Sequence, residues 1–153
     1  MLEENRLLGE GRTDAQSSSR DELILPARVE NLEEFQAFVA DRIGEDCSIK
    51  TQMQIDLAVE EIFVNIASYA YAPDEGEAAL RVEVSDEPRT VTLTFRDRGV
   101  PYDPLAREDP DVAALATERQ IGGLGVFLTK QIMDEVRYEY RDGQNVLTMR
   151  KQL

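Results

Sequence analysis

Residues 80–97 read LRVEVSDEPRTVTLTFRD. Leu80, Val82 and Val84 alternate with Arg81, Glu83 and Ser85, and Val91, Leu93 and Phe95 alternate with Thr92, Thr94 and Arg96. A period of two sends alternate side chains to opposite faces of a strand. Asp86-Glu87-Pro88-Arg89 between the two runs has turn composition. The stretch therefore predicts a β-hairpin with one apolar face.

The same pattern recurs near the C-terminus. Val136, Tyr138 and Tyr140 alternate, Asp142-Gly143 marks a tight turn, and a last strand runs from Val146 to Lys151. Upstream the period changes. Leu32, Phe35, Phe38, Val39 and Ile43 fall at helical spacing, with Asn31 as the expected cap and Gly44 as the stop. After Ser48, a second cap, Ile55, Val59, Ile62, Ile66 and Tyr69 form one helical stripe that Pro73 closes. Leu23-Ile24-Leu25 before Pro26 suits an edge strand. Residues 97–121 read as a loop of lid length, with a short helix around 112–117, and a third helix is expected from Gly122 to about Asp134. Strands arriving in antiparallel pairs with helices between them predict an α+β, two-layer sandwich. Its sheet is expected to be mostly antiparallel, with the helices on one face.

The 153 residues suit one domain. Residues 1–21, polar and serine-rich, are read as a flexible leader, and 22–153 as the folded domain. Thirty-one acids against 17 bases give a net charge of −14, which argues against nucleic acid and anionic membranes as partners. No apolar run reaches the roughly 18 residues of a membrane span, and no signal peptide is evident, so the cytoplasm is the expected location. Cys47 is the lone cysteine, and histidine is absent. That removes histidine-based triads and histidine zinc sites, and leaves a carboxylate, lysine or tyrosine as any general base.

Three constellations carry chemistry. Glu61 and Asn65 share a helix face four residues apart. They are either a solvated pair, or a proton acceptor beside a neutral oxygen suited to Mg²⁺. Asp97-Arg98-Gly99-Val100-Pro101 follows a strand. It is either an ordinary turn, or an acid that accepts from an exocyclic amine beside space for a planar ring. Gly122-Gly123-Leu124-Gly125 opens a helix. It is either a hinge, or a phosphate cradle built from free backbone N–H groups. The glycine spacing matches neither a dinucleotide fingerprint nor a P-loop.

Taken in order, these parts resemble a known family. Val59-Glu60-Glu61-Ile62-Phe63-Val64-Asn65 resembles its N box, Asp97 to Pro104 its first glycine box, and Gly122 to Leu128 its second. The superfamily is that of gyrase, heat-shock chaperone, histidine kinase and mismatch-repair ATPases. Within it the chain is most similar to the anti-sigma-factor serine kinases, through the Asp-x-Gly-x-Pro-Tyr-Asp-Pro and Gly-Gly-Leu-Gly stretches and Met133-Asp134-Glu135-Val136.

The resemblance implies a Bergerat-type pocket for ATP and Mg²⁺. It assigns Asp97 to the adenine amine, Gly99 and Val100 to the base, and Asn65 to Mg²⁺. Gly122, Gly123, Leu124 and Gly125 are assigned to the phosphates, and Thr148 to the adenine side. Glu61 becomes the general base for an acceptor serine, and Arg119 the lid cation facing the transferring phosphoryl group. The implied partners are a sigma factor and its serine-bearing antagonist, and a homodimer is compatible. Tyr69-Ala70-Tyr71 stands where relatives often carry His-Ala-Tyr, and Gly143-Gln144-Asn145 where they carry Gly-Thr-Thr. Those departures keep a second reading open, a nucleotide-binding module without turnover. A third reading is the ATP-binding part of a histidine kinase.

Overall fold

The computed structural model describes residues 17–18, 21–106 and 124–153. The expected short helix at 112–117, the other lid residues from 107 to 121 with Arg119, and Gly122 and Gly123 lie outside them. So does most of the expected leader. The described elements are β1 (Ser17–Ser18), β2 (Glu22–Pro26), α1 (Leu32–Ile43), α2 (Ile49–Asn65), β3 (Glu77–Ser85), β4 (Thr90–Asp97), α3 (Leu124–Ile132), β5 (Glu135–Arg141) and β6 (Gln144–Gln152).

All described strand pairs are antiparallel, in the spatial order β1-β2-β3-β4-β6-β5. Both expected hairpins form. Asp142 and Gly143 take positive φ values of 55° and 76°, as a tight two-residue turn requires. The last strand, β6, inserts between β4 and β5, and its register sets Asn145 opposite Asp97. Leu23-Ile24-Leu25, expected at an edge, has neighbours on both sides. Ser17 and Ser18 pair with Ile24 and Leu23, so a two-residue strand forms the edge instead.

The core lies between one sheet face and the helices. Leu80, Leu93, Phe95 and Met149 meet Phe35, Val39, Ile55, Val59 and Phe63, all with at most 1% exposure. The rings of Phe35 and Phe63 sit 4.8 Å apart, and Phe95 closes the cluster at 6.1 and 6.4 Å. Burying each such ring contributes about 1.5–3 kcal/mol. The opposite sheet face carries Arg81, Thr94, Arg96, Arg137, Thr148 and Arg150, exposed or half-buried.

Local signals hold at two helix ends. Ser48 Oγ accepts from Thr51 N at 3.1 Å, and Gly44 ends α1 at φ 75°. Asn31 does not cap α1. A 3₁₀ turn over Val29–Asn31 runs straight into the helix, and the Asn31 amide instead donates to Pro26 O at 2.8 Å. The regular α-helical geometry of α2 also stops early, at Asn65. Ile66–Ala70 continue the helix as a π-helical turn, so the wider turn buries Ala70 and leaves Tyr69 66% exposed.

Candidate functional site

The site forms where α2, the end of β4 and the start of β6 converge. Asn65 ends α2 and the π-helical turn follows it, so Ile62, Asn65, Ile66, Tyr69 and Ala70 line one wall of a cleft. Phe95, Asp97, Val100, Tyr102, Pro104, Tyr138, Asn145 and Leu147 supply the other walls. The cleft measures about 470 Å³, counting the space at its open mouth. Mostly apolar walls with a few polar groups suit a flat, partly polar ligand.

Asp97 lies at the buried end of β4 with 6% exposure. Its Oδ1 accepts from Gly99 N and from Asn145 Nδ2, both at 2.9 Å. Oδ2 has no hydrogen-bond partner among the described residues. A buried carboxylate oxygen left in this state is costly unless a ligand donor reaches it. The Asn65 carboxamide likewise has no partner among the described residues.

The turn after Asp97 is stitched to the end of α2. Val100 N donates to Ala70 O at 2.9 Å, and Arg98 N donates to the Tyr71 hydroxyl at 2.7 Å. Tyr71 in turn donates to Glu77 O at 2.6 Å. Burial pushes the Tyr71 phenol up, which keeps it protonated for that bond. Gly99 serves this close approach: a Cβ there would lie 2.1 Å from Ala70 O. Gly99→Ala should therefore destabilise the fold by about 2–3 kcal/mol, seen as a lower urea midpoint with an unchanged slope. A midpoint equal to that of the parent would mean the turn can move away from α2.

Glu61 sits one turn before Asn65, against the start of α3. A Cβ on Gly125 would lie 1.9 Å from Glu61 Oε1, so glycine there makes room for the carboxylate. Burial pushes the Glu61 carboxyl above its ordinary range, and the charge of Glu60 adds to the rise. A carboxylate so placed is a stronger base than an exposed one.

Of the residues expected from sequence, Asn65, Asp97 and Val100 line the cleft. Glu61 and Gly125 meet each other at the α2–α3 seam, and Leu124 is the first residue of α3. Gly99 backs the site against Ala70. Thr148 is a correction. It lies between Leu147 and Met149, whose side chains enter the core, so alternation turns it to the opposite face, in register with Thr94 and Arg137. Asn145 takes its place beside Asp97. Arg119, Gly122 and Gly123 lie outside the described residues. Sequence reading missed Tyr102 and Tyr138, and it treated Asn145 only as a departure. Alternation carried the missing signal, because it sets Asn145 on the same face as Leu147, a core residue.

The family model for the histidine kinase-like ATPase domain matches residues 25–151. The chain belongs to this family. Among similar proteins, the histidine kinase-like chain is 32% identical over 102 residues to the serine/threonine-protein kinase BtrW of Bordetella bronchiseptica, covering 67% of this chain and 71% of the relative. It is 29% identical over 114 residues to the serine-protein kinase RsbW of Listeria monocytogenes serovar 1/2a, covering 71% and 70%. In fold it is similar to the histidine kinase domain of the blue-light activated histidine kinase EL346 of Erythrobacter litoralis. There the TM-score is 0.53 and the identity 18%, over 90% of this chain and 65% of that one. Among the described residues of this histidine kinase-like domain, no helix is long and apolar enough to cross a membrane.

Proposed function

We propose that the chain is a Mg-ATP-dependent serine/threonine protein kinase. It would phosphorylate a serine on a small antagonist protein and otherwise hold a sigma factor inactive. The observation that carries the nucleotide reading is Asp97, buried in an apolar cleft with one carboxylate oxygen lacking a partner among the described residues. Such an acceptor suits the exocyclic amine of adenine. Asn65, on the wall opposite, offers a neutral oxygen to Mg²⁺, which takes few protein ligands beside phosphate oxygens and water. Among the described residues no three acidic, cysteine or histidine side chains gather to hold a cation by themselves, so phosphate oxygens would complete the shell.

ATP would supply the phosphoryl group. Gly122, Gly123, Leu124 and Gly125 would hold its phosphates through the N–H groups at the helix start, and Arg119 would face the transferring group. Gly99 and Val100 would border the base, and Glu61 would take the proton of the acceptor serine hydroxyl. Residues 22–153 would be the ATP-binding domain and 1–21 a leader, of which Ser17 and Ser18 pair with the sheet edge. The serine kinases BtrW and RsbW, as relatives, support the reaction class. The net charge of −14 suits basic partner surfaces in the cytoplasm, and a homodimer is compatible with the reading.

Tyr69 favours a second reading. It stands 66% exposed at the cleft where relatives often carry histidine, so it is poorly placed to relay a proton. A binding module that holds ADP or ATP and sequesters its partner without turnover would look the same in the cleft. Incubation with labelled Mg-ATP and candidate antagonists separates the two. The kinase reading expects label on a serine of one antagonist. Tight nucleotide binding with every serine unlabelled would favour the module.

A further inference from the structure

We infer that Asn145 is a positioning residue that sets the base selectivity of the cleft by holding Asp97 in one orientation. The inference rests on the nucleotide reading above and adds to it a residue to which that reading gives no role.

Asn145 is 7% exposed, and its carboxamide uses its full hydrogen-bonding capacity. One N–H of Nδ2 donates to Asp97 Oδ1 at 2.9 Å, and the other to Val100 O at 2.9 Å. Gly99 O lies at 3.5 Å from the same nitrogen. On the other side, Oδ1 accepts from Tyr102 N at 3.1 Å and from the Tyr138 hydroxyl. Turned over, the amide would set its oxygen against the Asp97 carboxylate and a carbonyl, and its donors against two donors. The network therefore admits one orientation.

The consequence falls on Asp97. Two donors, Gly99 N and Asn145 Nδ2, fix Oδ1, so the carboxylate cannot rotate without breaking both bonds. Oδ2 is left as an acceptor of fixed direction. A 6-amino purine presents a donor to it. A 6-oxo purine presents a second acceptor, which leaves both oxygens unpaired in a buried place. A threonine hydroxyl has one hydrogen to donate and could not hold both Asp97 and the Val100 carbonyl. The carboxamide thus links the acid at the end of β4 to the 100–102 turn and to Tyr138 of β5 in one unit.

The test uses the full chain. Calorimetry measures binding of ADP and GDP, each with Mg²⁺, to the parent and to Asn145→Asp, Asn145→Ala and Tyr138→Phe. Amide exchange around Tyr102 is followed without nucleotide, and melting curves check that each variant is folded. The parent should prefer ADP by about a hundredfold or more. Asn145→Asp keeps an acceptor for Tyr102 and Tyr138 but removes both donors. It should reduce the ADP/GDP ratio by about tenfold or more while Tyr102 stays protected. Asn145→Ala should lose both the ratio and the protection. Tyr138→Phe buries no new charge and should lower the ratio by about threefold.

An unchanged ratio in every folded variant overturns the inference, even if both affinities fall together, because a purely structural role weakens both purines alike. A parent that binds neither nucleotide overturns the nucleotide reading itself, and this inference with it.

Discussion

Asp97→Asn should weaken ADP binding by about a hundredfold while the protein stays folded. Hydrogen bonds to a charged group are worth about 1.5–3 kcal/mol, and an unpaired buried donor costs about as much again. In the variant, Oδ1 can still accept from Gly99 N and Asn145 Nδ2, so the turn survives. The atom that replaces Oδ2 is then a donor and meets the adenine amine donor to donor. A 6-oxo purine is relieved of its clash by the same change, so GDP should gain affinity as ADP loses it. Titration calorimetry with both nucleotides checks the crossing, and a melting curve checks the fold. ADP bound as tightly by the variant as by the parent would remove Asp97 from base recognition.

The second large effect is on turnover. Glu61→Gln should lower serine phosphorylation by about a thousandfold, within the range that general-base catalysis contributes. ADP affinity should change little, because Glu61 does not line the cleft that holds Asp97. The upward shift of the Glu61 carboxyl, caused by burial and by Glu60, has two further consequences of fixed sign. As a base it works only when ionised, so the rate should climb with pH through a value above the usual carboxylate range. That limb should vanish in the glutamine variant. For stability, the folded chain holds this proton more tightly than the unfolded chain does. The favourable contribution is present at low pH and lost as pH rises through the folded value. At neutral pH the ionised carboxylate weighs against the fold, and Glu61→Gln should melt higher than the parent. Below the ordinary carboxylate range the two should melt alike. A variant that phosphorylates at the parental rate excludes Glu61 as the base.

The hairpins, helices and antiparallel sheet were legible because each has a strict period and a marked turn. The Ser48 cap and the Gly44 stop were legible for the same local reason. What the sequence hid is non-local or broke the period. The insertion of β6 between β4 and β5 is a choice among pairings that leave no mark on the strands themselves. Without it, Asn145 could not be placed opposite Asp97, and Thr148 looked as suitable as its neighbours. The π-helical turn after Asn65 adds a residue to one turn, so a count at 3.6 residues put Tyr69 on the apolar stripe and the structure puts it at the surface. Asn31 misled because, at the end of a 3₁₀ turn, it holds the cap position of α1 while its side chain turns back to Pro26 O and bonds no N–H of the helix.

The outermost strand, β5, has a partner on one side only among the described residues. Its free margin is a row of amide and carbonyl groups open to any extended chain. Glu135, Arg137, Glu139 and Arg141 punctuate that margin with ionised heads. Arg137 is bound to Glu135 at 2.9 Å, and Arg141 to Glu139 at 3.1 Å. An incoming strand must strip water from these charges before it can zip on. Among the described residues, hydration of these charges is what keeps the border from growing into fibres.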